Sequence, residues 1–547
     1  MARKPPGSLD LPPSSLHSVD ADAPANSPAN NASRVRVRSE RIFRPADYVS
    51  VGFLYVLRIT AFLYFMWYWC SSDRWWSDPW QVAIAFLVTL GFAGSQLRWS
   101  ALPLMARPIP MPEVAHLRVA VVTTCVPSVE PVAMIGRTLQ ALVSLDYPHD
   151  TWLLDEGDHP ELRRLCERLG VYHASRKHQP HRQQAKGRYA SHSKHGNYNV
   201  WLDEIGYAGY DVLIAFDPDH VPVPRFASAV LGYFADPSVA YVQTPQAYHN
   251  QSAAMIARGA AEETYEYYSA GQMASFGVGS PVITGCHCAH RLSALKAVGG
   301  FPDHQAEDIL LTKMYKTGGW RGIYVPEVLA TGQAPETWPA YLSQQGRWTR
   351  ALLDIKIRRL AGFRKLGLTS RLLGYLQGFG GLSDAVLAAG ALLVVGSTLA
   401  TGGGQAAIGR FDTPQVAFAV ACLAVSNVYR WRFYLPPAQT PGPHWRAAIL
   451  RLAKWPYVFR ALWLVLRDAP FPYIVTPKTG AHSGERALLI PHLAIVMFLG
   501  LSLIGGIATH HWSGMGECVW GASFGLFSMY MIGIDLFSSP RPPGSRG

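Results

Sequence analysis

Apolar residues in this chain are clumped. Six stretches approach the roughly 20 residues that a helix needs to cross a bilayer: Val49–Cys70, Trp80–Leu104, Leu372–Ala400, Pro414–Tyr434, Ala487–Ala508 and Cys518–Phe537. Arg58, inside the first, is costly in lipid, so either it faces another helix or the true span is shifted. Between the second and third stretches the pattern changes to short β-rich runs alternating with helical periodicity. Arg118–Thr124, Thr151–Asp155, Asp211–Phe216, Val239–Gln243 and Ile323–Val325 read as strands, and Glu130–Leu145, Pro160–Leu169 and Arg225–Phe234 as helices. That alternation predicts a mostly parallel α/β sheet, with ligands at the carboxyl ends of its strands.

Composition agrees with a membrane chain. Of 547 residues, 49% are hydrophobic and only 16% charged, too apolar for an ordinary soluble protein. The net charge of +12 brings nucleic acid to mind, but no reading motif accompanies it. Much of the excess flanks apolar stretches. Tyr434–Arg486 carries Arg446, Arg451, Lys454, Arg460, Arg467, Lys478 and Arg486 against Asp468 and Glu485. With basic loops inside, both termini and the central polar region are expected in the cytoplasm. The expected layout is a disordered basic tail over 1–45, two spans over 46–104, a cytoplasmic domain over 105–366, and four spans over 367–547. Trp445–Arg467 mixes Arg and Lys with Trp and Leu. It reads as a helix lying in the interface, with a seventh span as the alternative. The seven cysteines form no disulfide framework. Cys286-x-Cys288 lacks a second pair at zinc spacing and reads as structural.

Several short motifs carry chemistry. Asp217-x-Asp219 follows a predicted strand and offers hard oxygen ligands for a divalent cation bridging diphosphate oxygens, with His220 beside it. Asp155 closes another strand. Lys194-His195-Gly196-Asn197 offers a cation, a close-approaching backbone and an amide, which suit pyrophosphate or ribose. Glu307-Asp308 supplies a carboxylate for taking a proton from a hydroxyl. Gln344-x-x-Arg347-Trp348 offers an aromatic face for a sugar and a guanidinium fork for an anion. Each alone has a plainer explanation: a solvated turn, a loop, an acidic helix start, an interfacial helix. Their order gives them weight.

In this order the chain resembles the cellulose synthase-like, membrane-integrated family 2 glycosyltransferases. Their D…DxD…TED…QxxRW pattern is matched by Asp155, Asp217/Asp219, Glu307-Asp308 and Gln344/Arg347/Trp348. Lys194-x-Gly196-Asn197-x-Asn199 matches K-A-G-N-L-N, and Val242-Gln243-Thr244-Pro245 matches V-Q-T-P. Tyr473-Ile474-Val475-Thr476-Pro477-Lys478 stands where the family has its gating loop, within 470–480. The resemblance implies an α/β nucleotide-sugar domain of the GT-A type inserted between transmembrane helices. It implies Asp308, Gln344, Arg347 and Trp348 as catalytic residues. Asp155, Lys194, Asn197, Asp217, Tyr473, Thr476 and Lys478 would contact the donor, and Asp217, Asp219 and His220 would hold Mg2+ or Mn2+.

The implied activity is processive, inverting polymerisation of a UDP-sugar, UDP-glucose foremost, into a β-glucan at the cytoplasmic face of an inner or plasma membrane, with export through the helices. The implied partners are the UDP-sugar, the growing polysaccharide, the lipid bilayer and export subunits, and no nucleic acid. Alternatives are a non-processive transferase acting on a lipid phosphate or cell-envelope acceptor, and an inactive membrane scaffold or transporter. The chain departs from the pattern in places. Ala306 replaces the Thr of TED, Thr123-Thr124-Cys125 replaces P-T-Y, and Ile283-Thr284-Gly285-Cys286 replaces F-C-G-S. Few residues follow the last stretch, so the cyclic-di-GMP-binding PilZ domain is not expected.

Overall fold

The computed structural model describes residues 35–72, 75–359, 368–403, 409–410, 413–470, 485–509, 523, 525–531 and 533. Two long helices come first, α1 (Pro45–Cys70) and α2 (Pro79–Ser100). The Asp78 carboxylate accepts from the backbone N–H groups of Trp80 and Gln81, donors that a helix start leaves without partners. Arg58 of α1 is fully buried. It donates to Ser95 Oγ at 2.7 Å, Gln96 Oε1 at 3.2 Å and Ser426 Oγ at 3.0 Å. It therefore faces neighbouring helices, where hydroxyls and an amide replace the water it gave up.

The polar domain follows. Its elements are β1 (Val119–Cys125), α3 (Val132–Val143), β2 (Asp150–Asp155), α4 (Pro160–Leu169), β3 (Tyr172–Ala174), α5 (Lys194–Trp201), β4 (Val212–Phe216), β5 (Val239–Gln243), α6 (Met255–Glu266), β6 (His287–Arg291), α7 (Glu307–Thr317), β7 (Arg321–Tyr324) and α8 (Trp338–Asp354). The seven strands form one sheet in the order β7-β5-β6-β4-β1-β2-β3. Successive residues of β1 point to opposite faces. Val119 and Val121 join one core with Leu139, Ile214 and Val242, while Ala120 and Val122 join another with Tyr198, Trp201 and Leu311. With both faces covered, β1 and β4 are continuous apolar runs.

The sheet is mixed rather than mostly parallel, because β6 runs antiparallel to both β4 and β5. Its sequence, His-Cys-Ala-His-Arg, carries no apolar run, yet all but Arg291 is buried. His290 is accommodated by a contact between its Nδ1 and Tyr315 Oη. The helix expected over Arg225–Phe234 is a short α-helix, Phe226–Leu231, followed by a 3-10 turn, Gly232–Ala235.

After the domain come α9 (Leu368–Thr401), α10 (Pro414–Arg430), α11 (Trp445–Ala453), α12 (Trp455–Leu466) and α13 (Ile490–Ala508). Among the described residues, four helical stretches are long and apolar enough to cross a membrane: Pro45–Cys70, Pro79–Leu104, Gly380–Thr401 and Ala487–Ala508. They correspond to the first, second, third and fifth expected spans. The fourth is the 17-residue α10, which falls short of that length. It ends at Arg430, whose guanidinium is drawn to Glu266 of the polar domain. Most of the sixth, Cys518–Phe537, lies outside the described residues. The helix expected over Trp445–Arg467 is two helices meeting at Lys454, with Pro456 in the first turn of the second. Proline has no N–H to continue the preceding helix, so the break falls there.

Candidate functional site

The carboxyl ends of β1, β2 and β4 finish on one edge, with Cys125 opposite Asp155 and Thr123 opposite Phe216. The chain lays β2 and β3 on one side of β1 and β4 on the other. This is a topological switch point, where loops diverge and leave a crevice. A cavity of about 590 Å³ opens there and runs beneath α7 and α8 to Asp384 of α9 and Arg451 of α11.

Asp217, Pro218, Asp219 and His220 leave the end of β4 in a turn closed by His220 N–H donating to Asp217 O at 3.0 Å. Three neighbours fix it. The Asp217 N–H donates to Cys286 O at 2.9 Å, Thr138 Oγ1 donates to Pro218 O at 2.7 Å, and Gln333 N–H donates to Asp219 Oδ2 at 3.0 Å. Asp217, Asp219 and His220 bring two carboxylate oxygens and a ring nitrogen within 4.8 Å of one another. That donor set suits a divalent cation. Lys194, at the start of α5, donates from Nζ to Asp217 Oδ1 at 2.5 Å and also to Gly285 O. Ser193 caps α5 by accepting from Gly196 N–H at 3.1 Å. Only glycine fits at 196, since a Cβ there would lie 2.2 Å from Ala190 O. Asn197, one residue on, donates to Leu154 O at 3.2 Å and also lines the cavity.

Asp308 sits in the first turn of α7 and lines the same cavity. Burial first, and the Glu307 carboxylate second, push its carboxyl up to about 8. It lies against Gly285, where a Cβ would stand 2.9 Å from Asp308 Oδ2 and where φ is +75°. Both facts reserve that position for glycine. Gln344, Arg347 and Trp348 share one face of α8 by their i, i+3, i+4 spacing, and all three line the cavity. The helix is braced by neighbours that line the same cavity, Glu263 and Lys454. Lys454 Nζ donates to Glu263 Oε1 at 3.0 Å and Gln345 Oε1 at 2.8 Å, and Tyr341 Oη donates to Glu263 Oε2 at 2.5 Å.

Asp155 is placed differently. It is fully buried, and its carboxylate accepts from Gly157 N–H at 2.9 Å and His159 N–H at 2.6 Å, with His173 Nε2 at 3.1 Å. Burial works against ionisation, yet the His173 contact and these N–H donors hold the carboxyl below its usual value. Glu156 lines the cavity and Asp155 does not. Asp155 thus shapes the loop, leaving Glu156 to face the crevice and to pair with Arg176 at 3.0 Å. Tyr473, Thr476 and Lys478 lie outside the described residues.

Other lining residues carried no local signal. Lys313 of α7 and Lys356 beyond α8 also line the cavity, and burial lowers both to about 8. Cys286 is a third. Burial would raise its thiol, but the neighbouring His287 and His220 bring it down to about 6.

Comparison with known proteins agrees with this geometry. Residues 118–351 match the family model "Glycosyltransferase like family 2". A cellulose synthase catalytic subunit [UDP-forming] of Xanthomonas axonopodis pv. citri (strain 306) is 25% identical over 292 residues, covering 50% of this chain and 38% of the relative. A protein of Oryza sativa subsp. japonica named "Probable glucomannan 4-beta-mannosyltransferase 3" is 25% identical over 245 residues, 42% of this chain and 41% of its own. The chain thus spans well under two thirds of these relatives' length. Among solved structures, a mannosyltransferase from Pyrobaculum calidifontis, determined with GDP-Man and Mn2+, superposes with a TM-score of 0.50 at 16% identity. The match covers 72% of this chain and 99% of that one. The fold of the polar domain is of the GT-A type. Residues 118–351 are a glycosyltransferase family 2 domain, in a chain similar in sequence to cellulose synthase catalytic subunits.

Proposed function

We propose that the protein is a processive, inverting glycosyltransferase that polymerises a UDP-sugar, UDP-glucose foremost, into a β-glucan at the cytoplasmic face of a membrane and exports it through its helices. One observation carries the reading. Asp217, Asp219, Asp308 and the Gln344/Arg347/Trp348 face of α8 line a single cavity that continues to Asp384 in a helix of membrane-crossing length. Donor, acceptor and exit then lie in sequence along one path.

Asp217, Asp219 and His220 are the residues to hold Mg2+ or Mn2+. Such an ion, when bound, neutralises charge on the leaving nucleoside diphosphate. Lys194 and Asn197 border the donor end, and Lys194 adds a positive charge there. The loop residues Tyr473, Thr476 and Lys478 are assigned to the donor on the resemblance alone. Trp348 stacks on the terminal acceptor sugar, and Gln344 and Arg347 orient acceptor and diphosphate. The acceptor hydroxyl attacks the anomeric carbon on the face opposite the diphosphate. A new C–O bond forms as the bond to phosphate breaks, the bonding electrons leave with UDP, and the hydroxyl proton passes to Asp308. One displacement inverts the anomeric centre, so an α-linked donor gives a β-linkage. The raised Asp308 carboxyl suits this, because a base works best with a pKa near the working pH.

The test uses membranes containing the full chain and radiolabelled UDP-glucose. Alkali-insoluble polymer that disappears on adding chelator and is digested by a β-glucanase is the expected result. Products one sugar long, extractable into organic solvent, would overturn processivity and favour transfer to a lipid phosphate. No UDP release from any UDP-sugar would overturn the enzyme reading.

A further inference from the structure

Behind the Asp217–His220 turn lies a second group of metal-ligating side chains. His220, Cys286 and His287 are all buried, and one donor atom from each lies within 4.8 Å of the others. The rings of His220 and His287 are 5.3 Å apart, centre to centre. The sequence scatters these residues over two strand ends. They meet because the backbone pairs Asp217 with Cys286 where β4 finishes and β6 begins.

The Cys286 thiol contacts both rings, and one buried ring nitrogen has no hydrogen-bond partner. His287 is fully buried, and its Nε2 lies 3.0 Å from Pro245 O. A carbonyl can only accept, so the proton sits on Nε2 and Nδ1 presents a lone pair. That Nδ1 is buried without a hydrogen-bond partner. A buried polar atom left unpaired is costly, whereas an imidazole pinned by a backbone carbonyl with its other nitrogen open is the usual posture of a metal ligand. His220 is turned the other way about: its Nδ1 lies 3.4 Å from Asp219 Oδ1, and its ring is packed against Gly332, where a Cβ would stand 2.4 Å from the ring carbon Cε1.

We infer that His220, Cys286 and His287 form a binding site for a thiophilic divalent cation of the Zn2+ class, separate in chemistry from the oxygen-rich pair Asp217 and Asp219. Two imidazoles and a thiolate select softer ions over Mg2+. His220 and Cys286 also border the cavity, which leaves a coordination position open on that side, as in three-ligand zinc sites. Bonds of about 2.0–2.3 Å need the three side chains to close in by only small adjustments. Cys288 takes no part, because it packs with Leu213, Ala215 and Ala240 in the opposite core. The site shares only His220 with the hard-cation set, so an ion here and an ion on Asp217 and Asp219 compete for one imidazole.

The experiment titrates Co2+, a spectroscopic stand-in for Zn2+, into the full chain purified in detergent, in the presence of excess Mg2+. Wild type is expected to develop a thiolate-to-cobalt charge-transfer band and four-coordinate visible bands at one ion per chain, displaced by Zn2+ and unaffected by Mg2+. Cys286→Ser should abolish the charge-transfer band, and His287→Gln should weaken Co2+ binding at least about tenfold. Asp217→Asn should retain the band. The proposal is overturned if wild type shows no thiolate band, if Mg2+ displaces Co2+, if a folded Cys286→Ser keeps the band, or if a folded His287→Gln binds Co2+ as tightly as wild type.

Discussion

Asp155 and Asp217 look alike in the sequence, each an aspartate just where a parallel strand of the same sheet ends. Their surroundings differ. Asp155 is fully buried and spends its carboxylate on two backbone N–H groups and His173. Asp217 is partly exposed to the cavity and engages the Lys194 ammonium. A carboxylate whose acceptor positions are filled by backbone shapes a loop. One held by a flexible cation can exchange that cation for a ligand. Asp308 belongs with Asp217, since its surroundings raise its proton affinity while leaving it on the cavity wall.

Substitution can break that contrast. Asp308→Asn should give the largest effect, a fall of about 10²–10⁴ in kcat, the usual contribution of a general base. UDP binding by calorimetry should persist. Asp217→Asn should follow, with turnover falling about 10²–10³-fold, as when charge stabilisation at a leaving group is lost, and with the response to added Mn2+ flattened. The third effect is in pH. In the proposed mechanism Asp308 acts only when deprotonated, and its carboxyl is raised to about 8. The rate constant kcat/KM should therefore climb about tenfold per pH unit below that value and level off above it. A profile flat from pH 6 to 9 would remove Asp308 from the proton transfer.

Asp155→Asn should reverse the pattern, costing stability rather than turnover. An amide has one acceptor oxygen for three neighbours, a loss of about 1–3 kcal/mol readable as a lower thermal midpoint. Because the folded carboxyl is held below its unfolded value, the contribution of Asp155 is present above about pH 4 and is lost as pH falls through the folded value. The variant should therefore lose its deficit in acid. If instead it kept full stability and lost UDP binding, Asp155 would be a donor ligand after all.

The central strands and the helix pattern were legible because burial on both sheet faces demands apolar runs, as in Val119–Val122 and Val212–Phe216. Strand β6 was not, because His287 and His290 are buried through polar contacts that leave no hydropathy signature. Asp217, Asp219, Asp308 and the Gln344 face could be placed by motif order. Asp155 could not, since motif order says nothing of which way a carboxylate turns beyond its strand. The meeting of Cys286 and His287 with His220 depends on strand pairing across more than sixty residues, which no local spacing shows. In the membrane part, length and hydropathy found α1, α2, α9 and α13. The shorter α10 passes into a 3-10 turn at Trp431–Phe433, and the break at Lys454 depends on where Pro456 falls.

Lys454 stands at that break and holds both Glu263 of α6 and Gln345 of α8. The helix presenting Trp348 is therefore bolted to a hinge between two short amphipathic rods. A force that tilts either rod would move the Trp348 indole relative to Asp308. Under the proposed function, the surroundings of these two helices would then tune turnover without touching the nucleotide end.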